Sequence, residues 1–481
     1  MMNPLTEYQN NMTRRQLLKN SRNGLGAAAL TNLLSGTANA ANDKINTPHK
    51  VAKAKHLIYL FHNGGPPHID MFDYKPQLIK MNGETLPKSF VEGKRFGAMT
   101  KNIDAATMLA PVEPFKQYGQ CGAWVSDLMP HTGAIADKLC FIKSMYTEQV
   151  NHAPAISFML TGSEMPSRPT LGAWLSYGLG SMNVNLPSYV VMTSVSKGTS
   201  CGQIFYDFYW SSGFLPSQYQ GVKFRGGGDP VLYLSNPKGV SKEIRRDMMD
   251  GLSQLNQLKK NRVGDPEIST RISQYEMAYR MQTSIPELTD LSDEPQHVLE
   301  MYGPSVKIQG TFAYNCIMAR RLVERGTRSV QVMHAGWDHH NSITTELYNQ
   351  CRDTDQASAA LIKDLEQRGL LDDTLVVSGG EFGRTPFLAK NFNTPKKWGR
   401  DHHPHAYTTW MAGGGIKPGI TYGASDELGM NVVENPVHVH DLQATILNQM
   451  GIDHTKLTYK FQGRRFRLTD VHGHVVKDII A

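Results

Sequence analysis

The segment HAGWDHHNSI, His334 to Ile343, sets an acid, two adjacent histidines and an asparagine directly behind RSVQVM, a run that reads as a buried strand. Asp, Glu, His and Asn are the ligands that hard and borderline divalent metals take where no thiolate is offered, and the same side chains serve as general acids and bases. Asp338 and His340 stand two residues apart, so on an extended segment both point the same way and His339 points away. This spacing predicts half of a metal site, with His339 left to a hydrogen bond with backbone.

Three other loops carry the same residue types. HNGGPPHIDMFD holds Asn63, His68, Asp70 and Asp73; GGEFGRTP holds Glu381 and Arg384; GRDHHPH holds Asp401, His402, His403 and His405. A single His or Asp in such a loop is more often a turn or capping residue than a ligand. Four loops of one composition, each beside a strand-like run, point instead to one divalent-metal site. The expected ligands are Asp70, Asp338, His340, Glu381 and His402, with zinc, calcium, magnesium and manganese all open. Arg384 is expected as an anion clamp, since a planar guanidinium matches a tetrahedral oxyanion; its plainer role is an ion pair.

The elements that must position these loops follow from the apolar runs. HLIYLF (His56 to Phe61) is short, continuously apolar and closed by Gly-Gly-Pro-Pro, as suits a strand buried on both faces. The pattern recurs in SYVVMTSV, RSVQVMHAG, DTLVVSGGEFG and AYTTWMAGGG, most of them preceded by a helical stretch and a glycine stop. That grammar predicts an α/β fold with parallel strands, whose ligands gather beyond the carboxyl ends of the strands. From about 216 to 300 the chain turns polar and helix-prone and is expected as a helical insertion. LTYKFQGRRFRLTDVHGHVVKDI alternates, predicting a small C-terminal β element.

The N-terminus is a separate matter. TRRQLLKN, then the apolar GLGAAALTNLL, then Ala38-Asn39-Ala40 follow the order of a twin-arginine export signal over residues 1–40, with 41–55 a polar leader and 56–481 the folded domain. The apolar stretch is shorter than the roughly 20 residues a membrane span needs, and no cysteine stands at the cleavage site for a lipid anchor. A periplasmic or exported protein is therefore expected, with the twin-arginine translocation machinery as a partner. Residues 1–40 carry Arg14, Arg15, Lys19 and Arg22 against Glu7, so the formal +7 of the 481-residue chain falls to +4 once they are removed. That balance does not argue for nucleic acid. Five widely spaced cysteines with no Cys-x-x-Cys give neither a disulfide framework nor a thiolate zinc site.

GGPPHIDMFDYKP, NHAPAISFMLTG, GWDHHN, DDTLVVSGGEFGRTP, GRDHHP and HVHDLQATILNQMGI, in this order, resemble a bacterial family of exported proteins catalogued as a domain of unknown function, near the sulfatases in the alkaline phosphatase superfamily. The resemblance runs over nearly the whole chain beyond the export signal. It implies an alkaline phosphatase/sulfatase-like, predominantly parallel sheet flanked by helices. HAPAISFMLTG is similar to the sulfatase nucleophile helix, keeping Pro154 and the Leu160-Thr161-Gly162 ending, but His152 stands where the nucleophile would be and Ala155 and Ile156 replace Ser-Arg. The Asp-His of a later sulfatase block is represented by Glu381 and Phe382. His152 cannot become a formylglycine, so it is expected in catalysis as a base or transient nucleophile, or beside a metal-activated water; Ser157 and Thr147 lie close in sequence. The resemblance implies a metal-dependent hydrolase acting on a small-molecule or glycan ester of sulfate or phosphate. The alternative is a catalytically degenerate protein that binds an anionic glycan or an envelope partner.

Overall fold

A nine-stranded sheet orders the molecule, and its strands come from the apolar runs of the sequence. In chain order they are β1 (His56–Asn63), β2 (Cys140–Tyr146), β3 (Tyr189–Val195), β4 (Val222–Phe224), β5 (Ser329–Ala335), β6 (Thr374–Gly379), then a separate hairpin of β7 (Gly383–Leu388) and β8 (Arg400–His403), then β9 (Tyr407–Ala412), β10 (Ile420–Tyr422) and β11 (Val437–His438). The computed structural model describes residues 48–481 except 91, 94–102, 104–105, 197–204, 232–233, 235, 237–238, 264–266 and 389–393. The expected export signal and residues 41–47 of the leader lie outside the described residues.

The sheet runs β10-β2-β9-β6-β1-β5-β3-β4, with β11 paired to β2. β1, β3, β4, β5 and β6 pair in parallel, whereas β9 is antiparallel to both β2 and β6. This α/β class, mostly parallel, is the one the sequence predicts; the antiparallel β9 is not. From β6 the chain passes through the β7–β8 hairpin and returns as β9 with no crossover helix among the described residues, and a parallel strand needs such a crossover. β2 is also absent from the strands expected.

Every residue of β1 is buried, as its unbroken apolar run requires. Ile58 and Leu60 point into one core with α6 (Phe312–Glu324) and α7 (Ile343–Gln367). Leu57, Tyr59 and Phe61 point into a second, with α1 (His152–Thr161), α2 (Leu171–Leu179) and α8 (Val439–Gln449). Each such side chain contributes roughly 1.5–3 kcal/mol by burial, so two helix-covered faces hold the strand ends rigidly. From 216 onward the described residues form a short 3-10 turn (Ser217–Tyr219), edge strand β4, and then α3 (Lys242–Val263), α4 (Glu267–Thr289) and α5 (Gln296–Tyr302). Tyr459–Phe461 and Arg464–Phe466 pair antiparallel near the C-terminus.

Candidate metal centre

The ends of β1, β5 and β6 face the same edge of the sheet, and the loops behind them meet the β7–β8 hairpin and the start of α1. His152, Asp338, His340 and His402 each offer one ligand atom there, all within 4.8 Å of one another. Asp338 Oδ1 lies 2.9 Å from His340 Nε2, 3.2 Å from His152 Nε2 and 3.3 Å from His402 Nε2, and the His340 and His402 Nε2 atoms are 2.9 Å apart. Donor atoms 2.0–2.1 Å from a tetrahedral zinc are about 3.3 Å from each other, so three imidazoles and a carboxylate at these separations fit a divalent ion. His152 Nε2 is buried without an aligned hydrogen-bond partner, as a ligand atom would be. This buried His/Asp group can hold a metal ion.

The supporting bonds set the tautomers. His402 Nδ1 donates to the Val150 carbonyl at 2.7 Å, leaving its Nε2 lone pair toward the group. His152 Nδ1 donates to Glu381 Oε1 at 2.6 Å, and the same oxygen accepts the Gly64 backbone N–H at 2.9 Å. Such carboxylate–imidazole pairs orient a ligating ring and raise its basicity. Gly64 has φ +118, and a Cβ on it would lie 2.6 Å from Asp338 N, so only glycine lets the end of β1 abut the Asp338 loop. Phe382 closes one side, its ring 5.0 Å from His152 and 4.7 Å from His402.

The electrostatics follow. Burial pushes the Asp338 carboxyl up, but the Arg384 guanidinium and the three imidazoles outweigh burial and hold it far below the usual carboxylate range. Burial pushes His152 down, and its contacts to Asp338 and Glu381 more than reverse this, so its pKa is raised. His402 is lowered to about 4, by burial first and then by Arg384 and His152, against the pull of Asp338.

Of the expected ligands, the structure brings together Asp338, His340 and His402. Glu381 meets the group only through His152. Asp70 is not brought in: it is fully buried in a two-pronged ion pair with Arg400, at 2.7 and 3.0 Å, and also accepts the Val112 N–H at 3.0 Å. The structure thus places Asp70 outside the cluster, as the partner of Arg400 on β8. Arg384 takes the plainer of its two expected roles, an ion pair. It is 1% exposed, and its fork is spent on the carbonyls of Gly64, Gly65, Trp337 and Arg400 and on Asp338 Oδ1 at 2.6 Å. It therefore backs Asp338 rather than facing an anion. His152, expected as base or nucleophile, sits among the metal donors. His339 is not among the converging donors, and its buried ring lies against the Gly336 backbone. Ser157 bonds the Ser163 carbonyl, and Thr147 accepts from Gln149.

Sequence reasoning did not single out Arg400, Gly64 or the Val150 carbonyl. The double glycine ending β1 was the available signal for Gly64; a backbone carbonyl carries none.

A family model described as "Protein of unknown function (DUF1501)" matches residues 54–480. No curated protein matches the chain. Among solved structures, the chain is similar to the PsFucS1 sulfatase from Pseudoalteromonas sp., at 12% identity over 86% of this chain and 74% of that one, with a TM-score of 0.34. It is similar to the phosphonate monoester hydrolase SpPMH from Silicibacter pomeroyi at 13% identity, over 67% and 68% of the two chains, with a TM-score of 0.30. For the alkaline phosphatase of the Antarctic bacterium TAB5 the values are 11%, 76%, 92% and 0.28. These likenesses are low.

Proposed function

We propose that this chain, which belongs to the DUF1501 family of proteins of unknown function, is an exported, metal-dependent hydrolase of sulfate or phosphate esters. The observation that carries the reading is the convergence of His152, Asp338, His340 and His402 on one point. Three imidazoles and one carboxylate suit zinc better than calcium or magnesium, which prefer all-oxygen sites. When bound, such an ion would supply Lewis-acid polarisation of an ester oxygen and activation of water, chemistry that needs one coordination position beyond the four protein donors.

The chain's own residues do the rest. Glu381 keeps the His152 proton on Nδ1, and the Val150 carbonyl keeps the His402 proton on Nδ1, so both Nε2 atoms face the centre. Arg384 holds Asp338 ionised and in place. Phe382 keeps water off one side of His152 and His402. With His152 in the donor set and the Ser157 and Thr147 hydroxyls bonded elsewhere, the reading assigns attack on the ester to water and not to a side-chain nucleophile.

Metal analysis of protein purified from the periplasm, followed by a panel of sulfate and phosphate esters assayed with each metal restored, tests this. About one ion per chain and hydrolysis that chelation abolishes are expected. Metal uptake without cleavage of any ester would turn the reading to a binding protein, and no metal uptake would end it. Among the described residues no helix is long and apolar enough to cross a membrane.

A further inference from the structure

The loop that delivers His152 has a second face. Val150 and His152 serve the metal centre, while Tyr146 and Glu148, a few residues earlier, line an open groove of about 510 Å³. Helix α1 is common to both, with His152 at its first turn and Phe158 and Gly162 on the groove.

One wall of the groove is a run of rings. Tyr146 lies 5.1 Å from His438, His438 lies 5.2 Å from His440, and His440 stacks on His472 at 5.3 Å and 16°. Phe158 meets His438 and His440 edge-to-face at 5.7 and 5.1 Å. The rings are held from behind. His440 Nδ1 bonds Gln443 at 3.1 Å, and His438 caps α8 while its Nε2 bonds Glu148 at 2.9 Å. Facing the rings are the carboxylates Glu148, Glu164 and Asp470. The volume is in the range of small-ligand sites, and a preordered ring wall costs little conformational entropy on binding.

We infer that this groove is a subsite for a neutral, hydroxyl-rich ring compound, a sugar or short glycan, joined to the metal centre through helix α1. Ring faces take the C–H faces of a pyranose, and carboxylates and imidazoles exchange hydrogen bonds with its hydroxyls. Glu148 is already bonded to His438 and Asp470 is paired with Arg464, so the groove offers a polyanion no net positive charge and a neutral glycan suits it better. This inference deepens the hydrolase reading and rests on it for the role of the bound sugar, but binding is measurable without turnover.

Isothermal titration on the full folded chain, both metal-loaded and chelator-treated, with cellohexaose, laminarihexaose, mannohexaose and heparin hexasaccharide tests it. At least one neutral hexasaccharide binds in both forms, and the heparin hexasaccharide binds at least about tenfold more weakly than it. The exposed-site double variant H472A/E164Q keeps the wild-type melting temperature and weakens the neutral ligand about tenfold, as expected for lost hydrogen bonds to a charged group. No neutral binding up to about 10 mM, unchanged affinity in the double variant, or tighter binding of heparin would overturn the subsite. Binding that survives chelation while no ester is ever cleaved would leave the subsite standing and remove the hydrolase alone.

Discussion

Glu381 and His152, 229 residues apart in sequence, meet at 2.6 Å, and the carboxylate oxygen between them also takes the Gly64 N–H. The ring is therefore pinned from the end of β6 and indirectly from the end of β1, with its free nitrogen turned toward Asp338.

That arrangement makes Glu381→Gln informative. The amide keeps the size of the side chain and an acceptor for Gly64, but loses the charge that raises the basicity of His152. Zinc affinity, measured by competition with a chromophoric chelator, falls about 10–100-fold, the usual cost of such a change, with the melting temperature little altered. Wild-type affinity would show that the contact does not tune the centre.

Asp338→Asn acts on both metal and fold. It removes the carboxylate donor and leaves the 1%-exposed Arg384 guanidinium without its counter-charge. Breaking a buried pair from one side costs about 3–5 kcal/mol. Metal content falls to background and stability drops together. Retained metal would place the centre elsewhere.

Asp70→Asn separates ligand from strut. Its partner Arg400 is fully buried, so a loss of about 3–5 kcal/mol is again expected. Here metal stoichiometry stays at the wild-type level in the folded fraction. Loss of metal without loss of stability would restore Asp70 to the ligand set.

The buried histidines away from the centre predict a pH dependence of stability. Burial lowers His62 to about 3, with His334 adding to the effect. An unfolded histidine titrates near 6.5, so between these values the unfolded chain binds a proton that the folded chain refuses. Stability is then full above about pH 6.5 and declines as pH falls toward about 3, by roughly 1.4 kcal/mol per pH unit for one such group. In urea titrations from pH 6.5 to 4.5, His62→Gln shows a slope shallower by about one proton. An unchanged slope would mean that His62 is not kept neutral.

Export is testable without the structure. Replacing Arg14 and Arg15 together with lysine leaves the precursor in the cytoplasm, read by fractionation, if residues 1–40 are a twin-arginine signal. Normal export of the double-lysine chain would count against that signal.

Much of the local order was legible in the sequence, because it depends on near neighbours. Unbroken apolar runs closed by glycine make strands buried on both faces, and β1, β5 and β6 are where HLIYLF, RSVQVM and TLVVS put them. The two-residue spacing predicts Asp338 and His340 together, and they do meet, although the segment turns tightly, with the His339 N–H on the Trp337 carbonyl and the His340 N–H on the Asp338 carbonyl. Types of side chain at the strand ends marked the edge where a site would form. What the sequence left open is which charge answers which. Asp70 and Asp338 follow strands in the same way and look alike as ligands. Yet Arg400 reaches one across 330 residues, and Arg384, sixteen residues before Arg400, backs the other, leaving only Asp338 with lone pairs toward three imidazoles. That division is set by the register of the β7–β8 hairpin and by the close approach of Gly64 to the Asp338 loop. Both are contacts between distant segments, and such contacts exist only once the two cores have packed.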